Sequence, residues 1–230
     1  MEDANTAFAS SLINRKSLME LKDIKRLYRL YMNGIVSQSM RLKGAEYRVN
    51  FGLTLPLLRR IAEQIPPSKE IAEELWQDRG VRESLLLAPM VYPIEEYTHA
   101  DAQRWAEDMP NIEVADFCCK YLFARLSSAP QLTTEWVESS QEMVVYTAFR
   151  LAYALLPTTF DTAWLQHIAG RAIDAAQGEN TTIAAVARRF LTESLLTQHA
   201  GKIVVEQLRN ANHIDNEWRE NLIALYDEEC

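Results

Sequence analysis

Tryptophan recurs along this chain at an interval close to thirty residues. Trp76, Trp105, Trp136 and Trp164 lie 29, 31 and 28 residues apart, each in a short segment with acidic residues nearby. Each short segment is followed by a longer and more apolar one. A two-helix unit leaves an apolar face exposed until its neighbours cover it, so such units stack along one axis. The repeat therefore predicts stacked helical hairpins, and a compact helical bundle is the alternative interpretation.

The hydrophobic pattern is helical throughout the chain. Apolar residues recur three or four positions apart from Leu18 to Met32 and in the segments that follow, with prolines between them. No segment alternates as a strand flanked by hairpin turns would. Gly and Pro together contribute only 15 of 230 residues, about half the usual share, which argues against a turn-rich β protein. We expect an all-α, right-handed α-solenoid whose second helices line a concave binding face.

The chain is expected to form a single domain over residues 1–230. Residues 18–65 form basic N-terminal helices in this interpretation, and residues 66–230 form the helical-hairpin repeats. Residues 1–17 are either a flexible arm or an additional docking helix. They begin acidic and polar, without the apolar core of a signal peptide. The longest apolar run, Leu85 to Tyr92, is too short to span a bilayer.

Signatures of common cofactor and metal sites are missing from the sequence. GxGxxG, GxxxxGK[ST], HExxH and CxxC patterns do not occur, and the four histidines lie far apart. Cys118 and Cys119 are adjacent and Cys230 is terminal, so the cysteines do not suit a disulfide framework or a spaced zinc site. We expect no metal, no organic cofactor, no membrane partner and a cytoplasmic location.

Charge is distributed unevenly along the chain. The formal net charge is −8, yet residues 1–60 carry eleven Lys/Arg against five Asp/Glu. Residues 61–230 carry thirteen against twenty-seven. A basic first quarter on an acidic body suggests one face that meets phosphates. The alternative is a basic amphipathic helix whose charges are only solvated.

Two charged residues stand inside apolar second helices, one repeat apart. Arg150 is the only charged residue from Met143 to Leu156, and Asp116 lies among apolar neighbours in VADFCC. An unpaired guanidinium in such a helix must reach solvent or find a partner. Because second helices of adjacent hairpins lie side by side, the two residues are expected to meet. Asp116 could instead pair with Lys120 at i+4, and Arg150 could cap a neighbouring helix.

Further basic residues lie in the other repeats and in the N-terminal helices, and they are candidates for contacts with DNA phosphates. Their alternative role is salt bridging within the stack of helices, since acidic residues lie in the adjacent repeats. The candidates are Arg82, Arg188, Arg189, Arg59, Arg60 and Lys43.

The chain resembles the DNA alkylation repair family, the AlkD-like proteins built from short HEAT-like helical repeats. The resemblance runs from about Met40 to the C-terminus and is clearest from Phe51 to Leu156. It rests on the stretch FGLTLPLLRRIAEQI (with Phe51, Gly52, Pro56, Arg59 and Arg60), on AEELW followed by RES (with Leu75, Trp76, Arg82 and Glu83), and on the helices that bear Asp116 and Arg150.

What the resemblance implies is removal of N3- and N7-alkylated purines from duplex DNA without flipping of the base into a pocket. Asp116 takes the place of the family's aspartate near the deoxyribose, and Arg150 that of its arginine partner. Glu113 corresponds to the acid at the start of the same helix. Two expected aromatic residues are missing, because Ile112 stands at the first position and Arg188 or Arg189 at the second.

Three functions follow as hypotheses. The first is an alkylpurine DNA glycosylase that uses Asp116, Arg150 and Glu113. The second is a catalytically inactive relative that binds bent or branched DNA, in which Asp116 and Arg150 form a structural ion pair. The third is a helical-repeat scaffold for protein partners, favoured by the acidic body and a pI near 5.1.

Overall fold

The computed structural model describes residues 19–158 and 161–229. Within these ranges the chain is all-helical, as predicted, and Val49 and Val81 form an isolated parallel bridge. Both interpretations of residues 1–17 concern residues outside the described ranges. Short 3-10 helices cover Ile94–Glu96 and Phe123–Arg125. The α-helices are α1 Leu21–Leu30, α2 Gly34–Leu42, α3 Leu55–Ala62, α4 Lys69–Gln77, α5 Arg82–Val91, α6 His99–Glu107, α7 Ile112–Tyr121, α8 Ala129–Trp136, α9 Glu142–Leu155, α10 Thr162–Ala176, α11 Thr181–Leu195, α12 Gln198–Asn210 and α13 Asn216–Glu229.

Helix α2 is the element that the hydrophobic pattern does not predict. Asn33 caps it, since its side-chain oxygen accepts hydrogen bonds from the amides of Ile35 and Val36. Ser37 is the one residue of α2 that is buried, whereas the side chains of Ile35 and Leu42 are exposed. Val36 and Met40 are half-buried near Ser37, so only part of the apolar surface of α2 faces inward.

The described chain forms two compact units, one ending at Glu96 and the other beginning at Tyr97. The expected single domain stays a prediction. In the first unit, helix α5 packs on α4 and α3. Glu83 is fully buried there, and its carboxylate accepts hydrogen bonds from the amides of Phe51 (3.1 Å) and Leu53 (3.3 Å). These bonds hold the loop before α3 against the start of α5.

The second unit is a stack of helical hairpins. Helices α8 and α9, α10 and α11, and α12 and α13 pack as consecutive pairs. The second helices also pack in order, α7 on α9, α9 on α11 and α11 on α13. The first helices do the same, α8 on α10 and α10 on α12. Residues on α7, α9 and α11 therefore lie on neighbouring helices although about thirty residues separate them in sequence.

The tryptophan repeat has a direct structural role in this stack. The indole Nε1 of Trp136 donates a hydrogen bond to Gln103 Oε1 at 2.5 Å, one repeat earlier. The indole Nε1 of Trp164 donates to Thr133 Oγ1 at 2.7 Å, again one repeat earlier. Both rings are buried. Because a buried indole N–H needs an acceptor, these two hydrogen bonds connect α8 to α6 and α10 to α8.

Candidate functional site

The predicted contact between Asp116 and Arg150 is present in the second unit. Arg150 Nε on α9 donates to Asp116 Oδ1 on α7 at 2.9 Å. The hydroxyl of Tyr146, one turn before Arg150, donates to the same oxygen at 3.0 Å. The side chain of Asp116 is 43% exposed, and within the described ranges Oδ2 has no hydrogen-bond donor. The carboxylate is therefore held by one oxygen and presents the other to solvent.

Local contacts hold helix α7, which bears Asp116, in place against α9. Asn111 caps α7, its side-chain oxygen accepting the amide hydrogen bond of Val114. The thiol of Cys119, one turn beyond Asp116, donates to the Thr147 carbonyl on α9 at 3.6 Å. Burial raises the pKa of this thiol, and the residue behaves as a small apolar contact between the two helices.

The hydroxyl of Tyr146 is suited to donate a hydrogen bond to Asp116 at neutral pH. Burial raises the pKa of its hydroxyl above the ordinary tyrosine value, and the negative charge of Asp116 acts in the same direction. The phenol thus keeps its proton at neutral pH and goes on donating to Asp116. Tyr146 was not predicted to belong to the site, because its position in an apolar helix is also typical of a core aromatic.

A second arrangement lies beside the carboxylate and centres on Tyr153. The guanidinium carbons of Arg150 and Arg189 each lie 5.0 Å from the centroid of the Tyr153 ring. A hydrogen bond to Tyr153 raises the pKa of Arg189 above its ordinary range. Arg189 is exposed and has no salt bridge to another described residue. Tyr153 was not predicted, although its i+3 spacing from Arg150 was a signal that it shares that face of α9.

Among the basic residues predicted to bind phosphate, Arg82 is buried. It is only 5% exposed, and its guanidinium donates to the Leu53 carbonyl at 3.1 Å and approaches Glu83 Oε1 at 3.5 Å. This burial argues against a phosphate contact, because the guanidinium is hydrogen-bonded to the loop before α3. Arg188 is exposed but donates twice to the Ala176 carbonyl, at 2.9 and 2.6 Å, and so caps α10.

The remaining predicted residues lie in both units. Lys43, Arg59 and Arg60 are exposed in the first unit, at the end of α2 and on α3. Glu113 is half-buried on α7, three residues before Asp116. Ile112, at the start of the same helix, is 47% exposed where the family resemblance leads one to expect tryptophan.

In the part of the chain that the structure describes, no group of three His, Cys, Asp or Glu side chains could hold a metal ion. Within the same ranges, no helix has both the length and the hydrophobicity that crossing a bilayer requires.

Comparison with known proteins identifies the family. The model of the family described as DNA alkylation repair enzyme matches residues 29–177, well over half of the chain. The chain belongs to this family. The Asp116 and Arg150 pair lies inside the matched region. No curated protein matches the chain in sequence.

The fold of this chain is similar to that of a solved protein structure. It is described as belonging to a new family of proteins related to the HEAT-like repeat DNA glycosylases, with affinity for branched DNA structures. The TM-score is 0.74 at 15% sequence identity, over 91% of this chain and 95% of the other. The predicted HEAT-like repeat fold is therefore confirmed.

Proposed function

We propose that this protein removes N3- and N7-alkylated purines from duplex DNA by hydrolysing the N-glycosidic bond. The observation that carries the proposal is the Asp116 carboxylate, which is fixed through Oδ1 and open to solvent at Oδ2. As the bond between C1′ and the purine nitrogen breaks, its electron pair leaves with the cationic base, which becomes neutral. Positive charge then develops on the sugar, where a fixed carboxylate stabilises it. Water adds its oxygen to C1′ and releases one proton.

The partners of Asp116 serve to orient it in this proposal. Arg150 and Tyr146 both use Oδ1, so the carboxylate cannot rotate without losing two hydrogen bonds. A fixed charge needs no reorganisation at the moment of reaction, which is the source of its catalytic effect. Glu113 lies three residues away on the same helix and adds negative charge near the sugar. The proposed hydrolysis uses water and needs no metal or organic cofactor.

The test is release of 7-methylguanine from methylated duplex DNA by the wild type and by Asp116→Asn. Asparagine keeps the shape and can accept the same hydrogen bonds but lacks the charge. We expect the rate of release to fall about 10²- to 10³-fold, with duplex affinity retained. Asp227→Asn, an exposed acid on α13 of the same unit, is the matched control and should release base at the wild-type rate. Equal release by Asp116→Asn and wild type would contradict the role of Asp116.

A second candidate function is binding of branched DNA without excision. Two features favour it. Ile112 and either Arg188 or Arg189 replace expected aromatic residues. Arg150 and Arg189 place two guanidinium groups around Tyr153. Such a cationic pair suits a phosphate better than a cationic base. The similar solved structure is of a protein with affinity for branched DNA, which supports this candidate.

Salt dependence of binding tests this second candidate and separates it from a protein scaffold. Arg189→Gln should weaken binding to branched and linear DNA alike and reduce the salt slope by about 1. Arg209→Gln, an exposed arginine on α12, is the control and should leave the slope unchanged. Binding that is insensitive to salt, or no binding at all, would favour the scaffold for protein partners. The cytoplasmic location expected from the sequence stays a prediction.

A further inference from the structure

Helix α7 has one accessible face, and Asp116 occupies only part of it. The buried residues lie on the opposite side of the helix and are Val114, Ala115, Cys118 and Cys119. Five residues at exposed or half-buried positions recur at helical spacing and form what we call the α7 stripe: Glu113, Asp116, Phe117, Lys120 and Tyr121. Because residues at this spacing share one side of a helix, the aromatic and cationic members of the stripe extend the surface on which the Asp116 carboxylate lies.

Phe117 and Tyr121 form an aromatic pair on this stripe. Their ring centroids are 5.5 Å apart, and the ring planes are inclined by 43°. Both residues are only half-buried, whereas the residues on the other side of α7 are fully enclosed. The pair therefore does not belong to the core of the second unit, and it keeps solvent-accessible surface on the same face as Asp116.

Lys120 adds a positive charge to the C-terminal half of the stripe. The residue is exposed, and its Nζ lies 5.6 Å from the centroid of the Tyr121 ring. The hydrogen bonds of Asp116 come from Arg150 and Tyr146, and within the described ranges Lys120 forms no salt bridge. The ammonium group is therefore available to an anion from outside the protein.

The order of groups along the stripe matches the order of groups along a DNA strand that carries a cationic lesion. The carboxylates of Glu113 and Asp116 come first and suit a positively charged nucleotide, whereas Lys120 comes one turn later and suits a phosphate. The ring faces of Phe117 and Tyr121 are electron-rich and attract C–H groups, such as those of a deoxyribose. Over the eight residues of the stripe the helix rises by about 12 Å. Since a strand of duplex DNA advances about 3.4 Å per nucleotide, the stripe is long enough for about three nucleotides.

We propose that the α7 stripe binds the sugar–phosphate backbone beside the damaged nucleotide, an inference that rests on the proposed DNA function. Phe117 and Tyr121 contact deoxyribose, and Lys120 contacts a phosphate of the same strand. These contacts need no base to leave the duplex, in agreement with the mode of action that the resemblance implies. They place aromatic surface after Asp116 on α7, whereas the resemblance leads one to expect it four residues earlier, at Ile112.

Salt dependence of duplex binding separates the two kinds of contact. The measurement is fluorescence anisotropy of a labelled, undamaged linear duplex at several salt concentrations, because contacts with the backbone do not require a lesion. Lys120→Gln should reduce the salt slope by about 1, since one phosphate contact is lost. Phe117→Ala and Tyr121→Ala should each weaken binding about 3- to 10-fold with the slope unchanged, because an apolar contact releases no counterions.

The second unit offers a matched control for each kind of variant. Lys202→Gln removes an exposed lysine from α12, and Trp218→Ala removes a half-buried aromatic residue from α13. Both should bind the duplex with the affinity and the salt slope of the wild type.

The outcomes separate this inference from the proposed enzymatic function. Circular dichroism identifies any aromatic variant that fails to fold, and the other aromatic variant and Lys120→Gln then provide the test. A reduced slope in Lys120→Gln with weaker binding by a folded aromatic variant supports the stripe even if 7-methylguanine is never released. Wild-type affinity in the folded aromatic variants overturns the sugar contact, and a wild-type slope in Lys120→Gln overturns the phosphate contact, even if base is released. Binding by the wild type that does not depend on salt, or no binding, overturns the whole stripe.

Discussion

Replacing Thr133 with valine should destabilise the second unit by removing the acceptor of the Trp164 indole. Thr133 Oγ1 accepts from Trp164 Nε1 at 2.7 Å and donates to the Pro130 carbonyl at 2.7 Å. Valine has nearly the same shape, so the change creates little cavity. It leaves a buried indole N–H without a partner, which costs about 1–3 kcal/mol. In a chain of this size the melting temperature should fall by about 2–4 °C for each kcal/mol.

Urea unfolding followed by far-UV circular dichroism measures this loss, and the same helix offers a matched control. Thr134 Oγ1 donates to the same Pro130 carbonyl at 3.1 Å but has no indole partner. Thr134→Val should change the free energy of unfolding by no more than about 0.5 kcal/mol. In a Trp164→Phe background, the penalty of Thr133→Val should largely disappear. Two results would refute the role of the Thr133–Trp164 hydrogen bond in connecting successive repeats. One is an equal loss of unfolding free energy in the two threonine variants, and the other is an undiminished effect of Thr133→Val in the Trp164→Phe background.

Two further predictions concern a glycine and a buried phenol. Gly52 has φ of +74°, and a Cβ there would collide with the Asn33 carbonyl oxygen, so Gly52→Ala should lower the free energy of unfolding by about 1–3 kcal/mol. Gly34→Ala, where a Cβ meets nothing within 4 Å, is the control in urea unfolding and should not destabilise. Burial and the charge of Asp116 raise the pKa of Tyr146, so the folded state holds that proton more tightly than the unfolded state. This stability is complete below pH about 10 and is lost as the pH rises further. Tyr146→Phe should therefore make the alkaline decline of unfolding free energy shallower, and an unchanged decline would contradict the assignment.

Periodic features of the sequence were enough to predict the hairpins and the central pair of the site. The spacing of Trp136 and Trp164 reflects a contact repeated between successive first helices, so it appears as an interval in the sequence. Asp116 and Arg150 could be paired in advance because charges inside apolar helices need partners. One repeat between them places the two on adjacent second helices.

Other features depended on contacts that leave no periodic signal. Arg82 resembled a surface cation, but the loop before α3 needs hydrogen-bonding partners, and the structure buries Arg82 to supply one at the Leu53 carbonyl.

The sequence by itself determined the helical class and the repeat, which follow from local spacing. It predicted the Asp116–Arg150 pair from the cost of an unpaired charge, and the structure decided between that pair and the alternatives. The tertiary structure alone decided which aromatics join that pair. Tyr146 and Tyr153 are both apolar-helix residues in sequence, and only the packing of α7 and α11 against α9 brings one to Asp116 and the other to Arg189. It likewise decided that Phe117 and Tyr121 are half-buried on the face of Asp116 and not enclosed in the core. Contacts among several repeats depend on how the helices lie side by side, which the spacing within one helix does not specify.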